Sequence, residues 1–287
     1  MNRVRLTVIM STYNDEKYLN DCLESLANQT YPDFVVKLAD DGSKDRTLEI
    51  LESWSKRDPR FQIAIRHKTN KGLTATLNEL LRCADTEYVA RMDADDIAMP
   101  DRFARQVAYL NRHREVSVVG SWAVDIDEQG RDGAMRRVPE THESIVKMML
   151  KANPLIHPSV MFRKEDILRV GGYNERYRVV QDYALWFQCV KAGLRLGNIP
   201  EPLIRYRVNA GHAAKRGLKY RKVDAAVRWN GARAVGHGVL TAAAAATIPI
   251  VIGIIPGRVK LWAMKHRDRI DPRQKPTPML KREEYLE

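Results

Sequence analysis

Asp93 and Asp95, with Asp96 beside them in the run RMDADDIAMP, are the residues of this 287-residue chain whose types and spacing offer chemistry most directly. Carboxylates two apart where a strand gives way to a loop can converge on one hard cation, which takes oxygen ligands. One or two carboxylates plus substrate phosphates is the usual setting for Mg2+ or Mn2+, and such an ion neutralises a diphosphate as it leaves. The same acids would serve equally in a solvated acidic turn, so the motif needs its context. Asp40-Asp41-Gly42-Ser43 is a second cluster. Its carboxylates can accept from a base N–H or from ribose hydroxyls, and Gly42 permits a tight turn; a plain turn before a helix is the competing reading. In Ser11-Thr12-Tyr13-Asn14 the Tyr13 ring can stack on a nucleobase, or Tyr13 is half-buried and Asn14 caps a helix. Gln181-Asp182-Tyr183-Ala184-Leu185-Trp186 opens a helix, where a carboxylate is stabilised as the anion. From there Asp182 can take a proton from an attacking hydroxyl, or it is simply a cap.

The elements that must position these residues follow from the periodicity. Apolar runs at 6–10, 34–39, 61–65 and 88–92 read as strands, and helical spacing marks helices at 17–29, 47–57 and 73–84 between them. Asp45 is placed to cap the second helix. Strand-helix alternation of this kind predicts parallel strands joined by helical crossovers. Ligands of such sheets sit beyond the carboxyl ends of the strands. Residues 11–14, 40–43, 67–72 and 93–96 all fall there, and that convergence points to one site. Further on the pattern is mixed: a helix at 101–113, a strand at 116–119, a hairpin near 127–133, a helix at 143–151, a strand at 159–163 and a helix at 182–192.

Composition narrows the class. Apolar residues make 44% and charged residues 29% of the chain, which is globular rather than disordered. Cys22, Cys83 and Cys189 are scattered, with no CxxC pair, so neither a disulfide framework nor a zinc site is expected. The opening MNRVRLTVIMSTYN runs straight into a strand, and its apolar run is too short for a secretory signal. The net charge is +12, and all of it lies from residue 205 onward, where 18 Lys+Arg face 6 Asp+Glu. Basic charge confined to one end reads as an attachment surface rather than a nucleic-acid fold.

In order, TVIMSTYNDEKYLNDCLESLANQTYPDF, ADDGSKDRT, NKGLTATLNELL, YVARMDADDIAMPDRF, HPSVMFR and QDYALW resemble the family 2 glycosyltransferases, which have the GT-A fold. The resemblance runs from Leu6 to Arg207. It implies a Rossmann-like α/β domain with a mixed, mainly parallel sheet flanked by helices over 1–204, its nucleotide-binding half 1–100 and its acceptor half 101–204. It implies that Ser11, Tyr13 and Asp41 contact the nucleotide base. Asp93 would lie near ribose and diphosphate, and Asp95 would ligate Mn2+ or Mg2+. Asp182 would be the general base of a single, inverting displacement, moving a hexosyl-type sugar from a nucleotide-diphosphate donor. Two departures stand out. Gln181 occupies a position where the family usually has Glu, and no QxxRW follows, which implies one sugar per encounter rather than processive synthesis. His157 and Arg207 also match positions the family often keeps. Arg207 offers a fork for diphosphate oxygens, and His157, Gln181 and Trp186 fall toward the acceptor; for His157 and Arg207 a structural role is at least as open.

Residues 205–287 form a basic helical appendage around an uncharged stretch, 239–256, VLTAAAAATIPIVIGIIP. Eighteen residues is the lower limit for a spanning helix, and Pro249 and Pro256 weaken that reading. Nucleotide sugars are cytosolic, and nine Lys+Arg follow the stretch, so both flanks belong inside. A segment that enters and returns, or lies in the interface against anionic lipid, satisfies both. The alternative is a helical hairpin buried on the core or on a second subunit, which leaves a homo-oligomer open. The expected location is the cytoplasmic face of a bacterial inner membrane, peripheral or monotopic. Membrane-side relatives build O-antigen, capsule or exopolysaccharide on a polyprenyl-diphosphate carrier, so a lipid-linked glycan is the expected acceptor. Two rivals remain. A sugar-1-phosphate nucleotidyltransferase needs a GxGxRL loop where this chain has STYNDEKYL. A non-enzymatic nucleic-acid binder would use Tyr220, Trp229 and Trp262 among the tail's cations, but the apolar stretch does not suit it, and no nucleic-acid partner is expected.

Overall fold

The computed structural model describes residues 5–208 and 217–255. Strands β1 (Leu6–Thr12), β2 (Phe34–Asp40), β3 (Phe61–Arg66) and β4 (Tyr88–Arg91) are parallel in the order β3-β2-β1-β4. Helices α1 (Leu19–Ala27), α2 (Thr47–Arg57) and α3 (Leu73–Arg82) connect them. β1 lies at the centre of this half. Its Leu6, Val8 and Met10 point into one core, while Ile9 joins Ala39 and Val89 in the other. A parallel strand covered on both faces reads as an unbroken apolar run, which is why this half is easy to recognise.

The rest of the sheet is built from β5 (Ile97–Ala98), β6 (Val116–Ile126), β7 (Asp132–Arg136), β8 (Met161–Arg163) and β9 (Arg195–Arg207). Helices α4 (Arg102–Arg112), α5 (His142–Met148), α6 (Lys164–Arg169) and α7 (Gln181–Lys191) accompany them. β8 is antiparallel to both β4 and β6, β6 runs parallel to β9, and β5 is antiparallel to β9. The nine-stranded sheet is therefore mixed and mainly parallel, as expected.

Three local differences have physical causes. β9 is absent from the sequence reading because Gly197, Pro200 and Pro202 break its alternation. The strand absorbs them where its register with β6 shifts around Trp122. β9 also runs on to Arg207, past the expected boundary at 204. Asp45 lies one residue outside the α2 N-cap, Arg46, yet its carboxylate still accepts from the Thr47 N–H at 3.0 Å.

The C-terminal region contributes α8 (Leu218–Ala234) and α9 (Val239–Ile254). α8 is seated on α7: a Cβ at Gly231 would stand 2.3 Å from the Phe187 ring, so only glycine allows the approach. Arg228 is buried there, bonded to Asp224 at 2.7 Å and to the Lys151 carbonyl at 2.9 Å. α9 packs on α8 and buries Ala242, Ala245 and Pro249. Its other face exposes Val239, Leu240, Val251 and Ile254, with Leu240 at 87%. Among the described residues no helix is long and apolar enough to cross a membrane. Pro256 and the basic segment from 258 lie outside the described residues.

Candidate active site

The loops at the carboxyl ends of β1 and β2 are laced together by their polar residues. The Asn14 N–H donates to Ser43 Oγ at 3.1 Å, and the Lys44 N–H donates to Asn14 Oδ1 at 2.8 Å. Asn14 holds φ +56°, a conformation asparagine tolerates better than most residues. Asp41 is 1% exposed. Its carboxylate accepts from the backbone N–H groups of Lys71 (2.9 Å) and Gly72 (2.8 Å) and meets His67 Nδ1 at 2.7 Å. His67 Nε2 in turn meets Glu79 at 2.9 Å. Gly42 has φ +79°, and a Cβ there would stand 2.9 Å from the Thr69 backbone, so the two loops touch because this residue is glycine. Tyr13 stands out of this floor, 44% exposed.

At the end of β4 the three acids converge. Oxygens of Asp93, Asp95 and Asp96 lie within 4.8 Å of one another, Asp96 buried and the other two partly open. Asp96 is fixed by the Arg207 N–H at 2.7 Å, while its second oxygen is buried without a hydrogen-bond partner. Burial, and then the charges of Asp93 and Asp95, push its carboxyl well above the usual carboxylate range. Asp15 shares the crowding: burial first, then the charges of Asp95, Asp93 and Asp45, raise it to about 6 against the Tyr13 N–H bond. Asp93 pairs with the buried Arg91. Hard oxygen donors packed this closely, with one oxygen unmet, suit a divalent cation.

Asp182 is the first acid of α7, one residue beyond the helix start. The residue before the helix, Val180, has φ +62° and ψ 17°, which a β-branched residue adopts only under strain. Asn153 Nδ2 donates to the Asp182 carboxylate at 2.6 Å. Burial raises this carboxyl above its ordinary value, while the Tyr183 N–H, Asn153 and the Arg91 charge oppose the shift. Arg91 thus pairs with Asp93, and its charge is also felt at Asp182. A cavity of about 1090 Å³ lies elsewhere, at the amino ends of β1 and β4, lined by Arg5, Asp33, Glu87 and Lys164 among others. None of the site acids lines it.

The family model described as "Glycosyl transferase family 2" matches residues 7–171. The chain belongs to glycosyl transferase family 2. The amylovoran biosynthesis glycosyltransferase AmsE of Erwinia amylovora is 33% identical over 222 residues, covering 76% of this chain and 82% of AmsE. The UDP-Gal:alpha-D-GlcNAc-diphosphoundecaprenol beta-1,3-galactosyltransferase of Escherichia coli is 31% identical over 224 residues, 75% of this chain and 79% of that enzyme. Among solved structures, the mannosyltransferase PcManGT of Pyrobaculum calidifontis, in complex with GDP-Man and Mn2+, superimposes with a TM-score of 0.60 at 20% identity. That match spans 96% of this chain and 83% of the other and supports the shared fold.

Within this glycosyltransferase, several residues expected at the site are buried and held by contacts of the fold itself. Arg207 is 2% exposed. Its Nε and Nη1 donate to the carbonyls of Asp95 and Asp127, both at 2.8 Å, and the guanidinium lies 4.0 Å from the Tyr18 ring centre. These bonds brace the acidic loop. His157 is buried, its Nε2 2.9 Å from the Tyr173 hydroxyl, and burial followed by the Arg91 charge lowers its pKa well below the ordinary value. Trp186 is 0% and Gln181 6% exposed, so in this conformation neither presents a surface to an acceptor. Sequence reading missed Arg91, His67, Glu79 and Asn153. The first three stand inside or beside quoted motifs, but a single charged residue in a strand or helix carries no signal until its partners are known.

Proposed function

We propose that this glycosyltransferase moves one sugar per encounter, with inversion, from a nucleotide-diphosphate sugar to a hydroxyl of a lipid-linked glycan. The reading rests on the convergence of Asp93, Asp95 and Asp96 within 4.8 Å, and it is supported by Asp182, a buried carboxylate at the head of α7 that feels the charge of Arg91, the partner of Asp93. Asp95 and Asp93 would hold Mn2+ or Mg2+. When bound, the cation supplies charge neutralisation for the diphosphate. Tyr13 offers an exposed ring to the base, and Ser11 and Asp41 would be its further contacts. Asp182 accepts the acceptor's hydroxyl proton. The freed oxygen bonds to the anomeric carbon on the face opposite the diphosphate, and the nucleoside diphosphate leaves as the bond from the anomeric carbon to its phosphate oxygen breaks. One displacement gives inversion. The wall around Asp182 keeps water from competing for the sugar.

The acceptor class is supported by the name of the E. coli relative, which acts on a diphosphoundecaprenol-linked sugar, and by the polysaccharide named for AmsE. The exposed apolar face of α9 beside a strongly basic C-terminal region fits an anionic membrane surface. The enzyme would then work peripherally at the cytoplasmic face of a bacterial inner membrane. Sedimentation with anionic vesicles, against a DNA pull-down over the same salt range, separates lipid attachment from nucleic-acid binding. A second copy of the chain covering α9 would show as a dimer in solution.

The deciding assay is nucleotide release over a panel of nucleotide sugars with a lipid-linked acceptor, with and without EDTA. Chelation and Asp95→Ala should cripple turnover, and Asp182→Ala should keep donor binding while transfer stops. Normal transfer by Asp182→Ala overturns the base assignment. Full activity in EDTA overturns the metal.

A further inference from the structure

The stretch that follows α5 is tied to two helices by hydrogen bonds from three alternate residues. It has no strand or helix ladder of its own, so its polar groups need partners elsewhere. The Tyr183 hydroxyl of α7 donates to the Met149 carbonyl. Arg228 Nη1 of α8 donates to the Lys151 carbonyl at 2.9 Å. Asn153 Nδ2 donates to the Asp182 carboxylate at 2.6 Å. The side chain that orients the acid at the head of α7 is thus held, through its own backbone, by the C-terminal region.

Arg228 is 6% exposed. Its Nε donates to Asp224, one turn earlier on α8, at 2.7 Å, and its guanidinium lies 5.2 Å from the ring centre of Tyr183, the neighbour of Asp182. A buried ion pair is a poor choice for packing alone, because apolar residues of similar volume serve as well or better. An apolar side chain cannot donate to the Lys151 carbonyl, whereas a guanidinium can do so and hold Asp224 with another N–H. Gly231 lets α8 close onto the Phe187 ring, so Arg228 is carried by a helix fixed against α7 itself. We propose that Arg228 is a positioning residue of the transfer site: from α8 it fixes the 149–153 stretch, and through Asn153 it aims the Asp182 carboxylate. The inference rests on the reading of Asp182 as the base. It gives the basic C-terminal region a place in the acceptor wall.

A reacting group displaced by about 1 Å costs up to about 100-fold in rate. In full-length protein, Arg228→Met should therefore lower kcat by about 10- to 100-fold while donor KM holds. That change leaves Asp224 buried without its cation, so Asp224→Leu combined with Arg228→Met is the second variant. It keeps an apolar contact between α8 and its neighbours and removes the donor to Lys151; circular dichroism reports folding of both. Asn153→Ala cuts the link to Asp182. In that background Arg228→Met should cost no more than about twofold in kcat, whereas independent effects would multiply. A second readout needs no turnover: the side-chain amide of Asn153 in 15N-asparagine-labelled protein, assigned by its loss in Asn153→Ala. Its resonance should shift in both Arg228 variants. Equal kcat losses with and without Asn153, a rise in donor KM with kcat intact, or an unmoved Asn153 amide in a folded variant overturns the proposal. Normal transfer by Asp182→Ala would sink the base assignment instead, and the amide resonance would still decide whether Arg228 holds Asn153 in place.

Discussion

At the donor rim, Asp41 meets three donors from one loop, Asp96 takes the Arg207 N–H, and Asp93 meets the Arg91 guanidinium. At the acceptor wall, Asp182 is held by the Asn153 side chain and the Tyr183 N–H, at the head of a helix preceded by a strained Val180. Local hydrogen bonds thus fix the rim, and packing across the fold fixes the wall. The difference teaches which perturbations stay local. A change at the rim should disturb loops and donor affinity together. A change at the wall should alter proton transfer while donor affinity holds.

The sharpest way to break the contrast is Asp182→Asn. The amide keeps the shape and the Asn153 neighbourhood but cannot accept a proton. We expect kcat to fall by roughly 10²- to 10⁴-fold, the range for loss of a general base, with donor affinity by calorimetry unchanged. A matching loss of donor affinity would mean that rim and wall are one unit. Because burial raises the Asp182 carboxyl, wild-type activity should also climb with pH through a midpoint above the ordinary carboxylate range.

Asp41→Ala comes next and acts the other way. It strips the acceptor from two part-buried backbone N–H groups and a histidine, and an unmet donor costs up to about 1–3 kcal/mol when water cannot reach it. Thermal or denaturant unfolding should show a loss of roughly 2–4 kcal/mol, less than the sum because the loop relaxes. Donor KM should rise in step, with the acid limb of kcat in place. Gly42→Ala should do the same more weakly, by about 1–3 kcal/mol, since alanine there adopts a left-handed backbone and meets Thr69. A Gly42→Ala variant with wild-type stability would show that the two loops are not in register.

The same contrast explains how much was legible in the sequence. Parallel strands buried on both faces announce themselves as apolar runs, and the turns that follow them must be polar, so 40–43 and 93–96 could be placed before any coordinates. The wall could not be read that way. β9 hides behind two prolines, and Asn153 meets Asp182 only through packing between segments 29 residues apart in sequence. Arg207 stayed open between two roles for a related reason. A guanidinium suits phosphate and backbone carbonyls equally well, and only the fold shows that the carbonyls of Asp95 and Asp127 already hold it. His157 and Trp186 match motif positions because they build the core under α7, which a sequence pattern cannot separate from lining a pocket.

The smallest effect tests whether acidic crowding at the rim is a standing cost. Asp15 is raised to about 6 by burial first and then by the charges of Asp95, Asp93 and Asp45, from an ordinary value of 3.8. A carboxyl whose folded pKa lies above its unfolded one stabilises the fold while protonated. That contribution is fully present below about 3.8 and disappears as pH rises through about 6. Above pH 6 the wild type therefore carries the cost of ionising Asp15 in place, and Asp15→Asn removes it while keeping an oxygen for the Tyr13 N–H. Partial exposure and the strain of the swap discount the gain to about 1 kcal/mol, or roughly 2–4 °C in Tm at pH 7.5. At pH 4 the two proteins should melt together. Added Mn2+ or Mg2+ should narrow the gap at pH 7.5, because a cation held by Asp93 and Asp95 offsets the charges that Asp15 feels. An equal gain at both pH values would mean that Asp15 is stabilised by shape rather than charge, and that the rim acids repel one another less than their spacing implies.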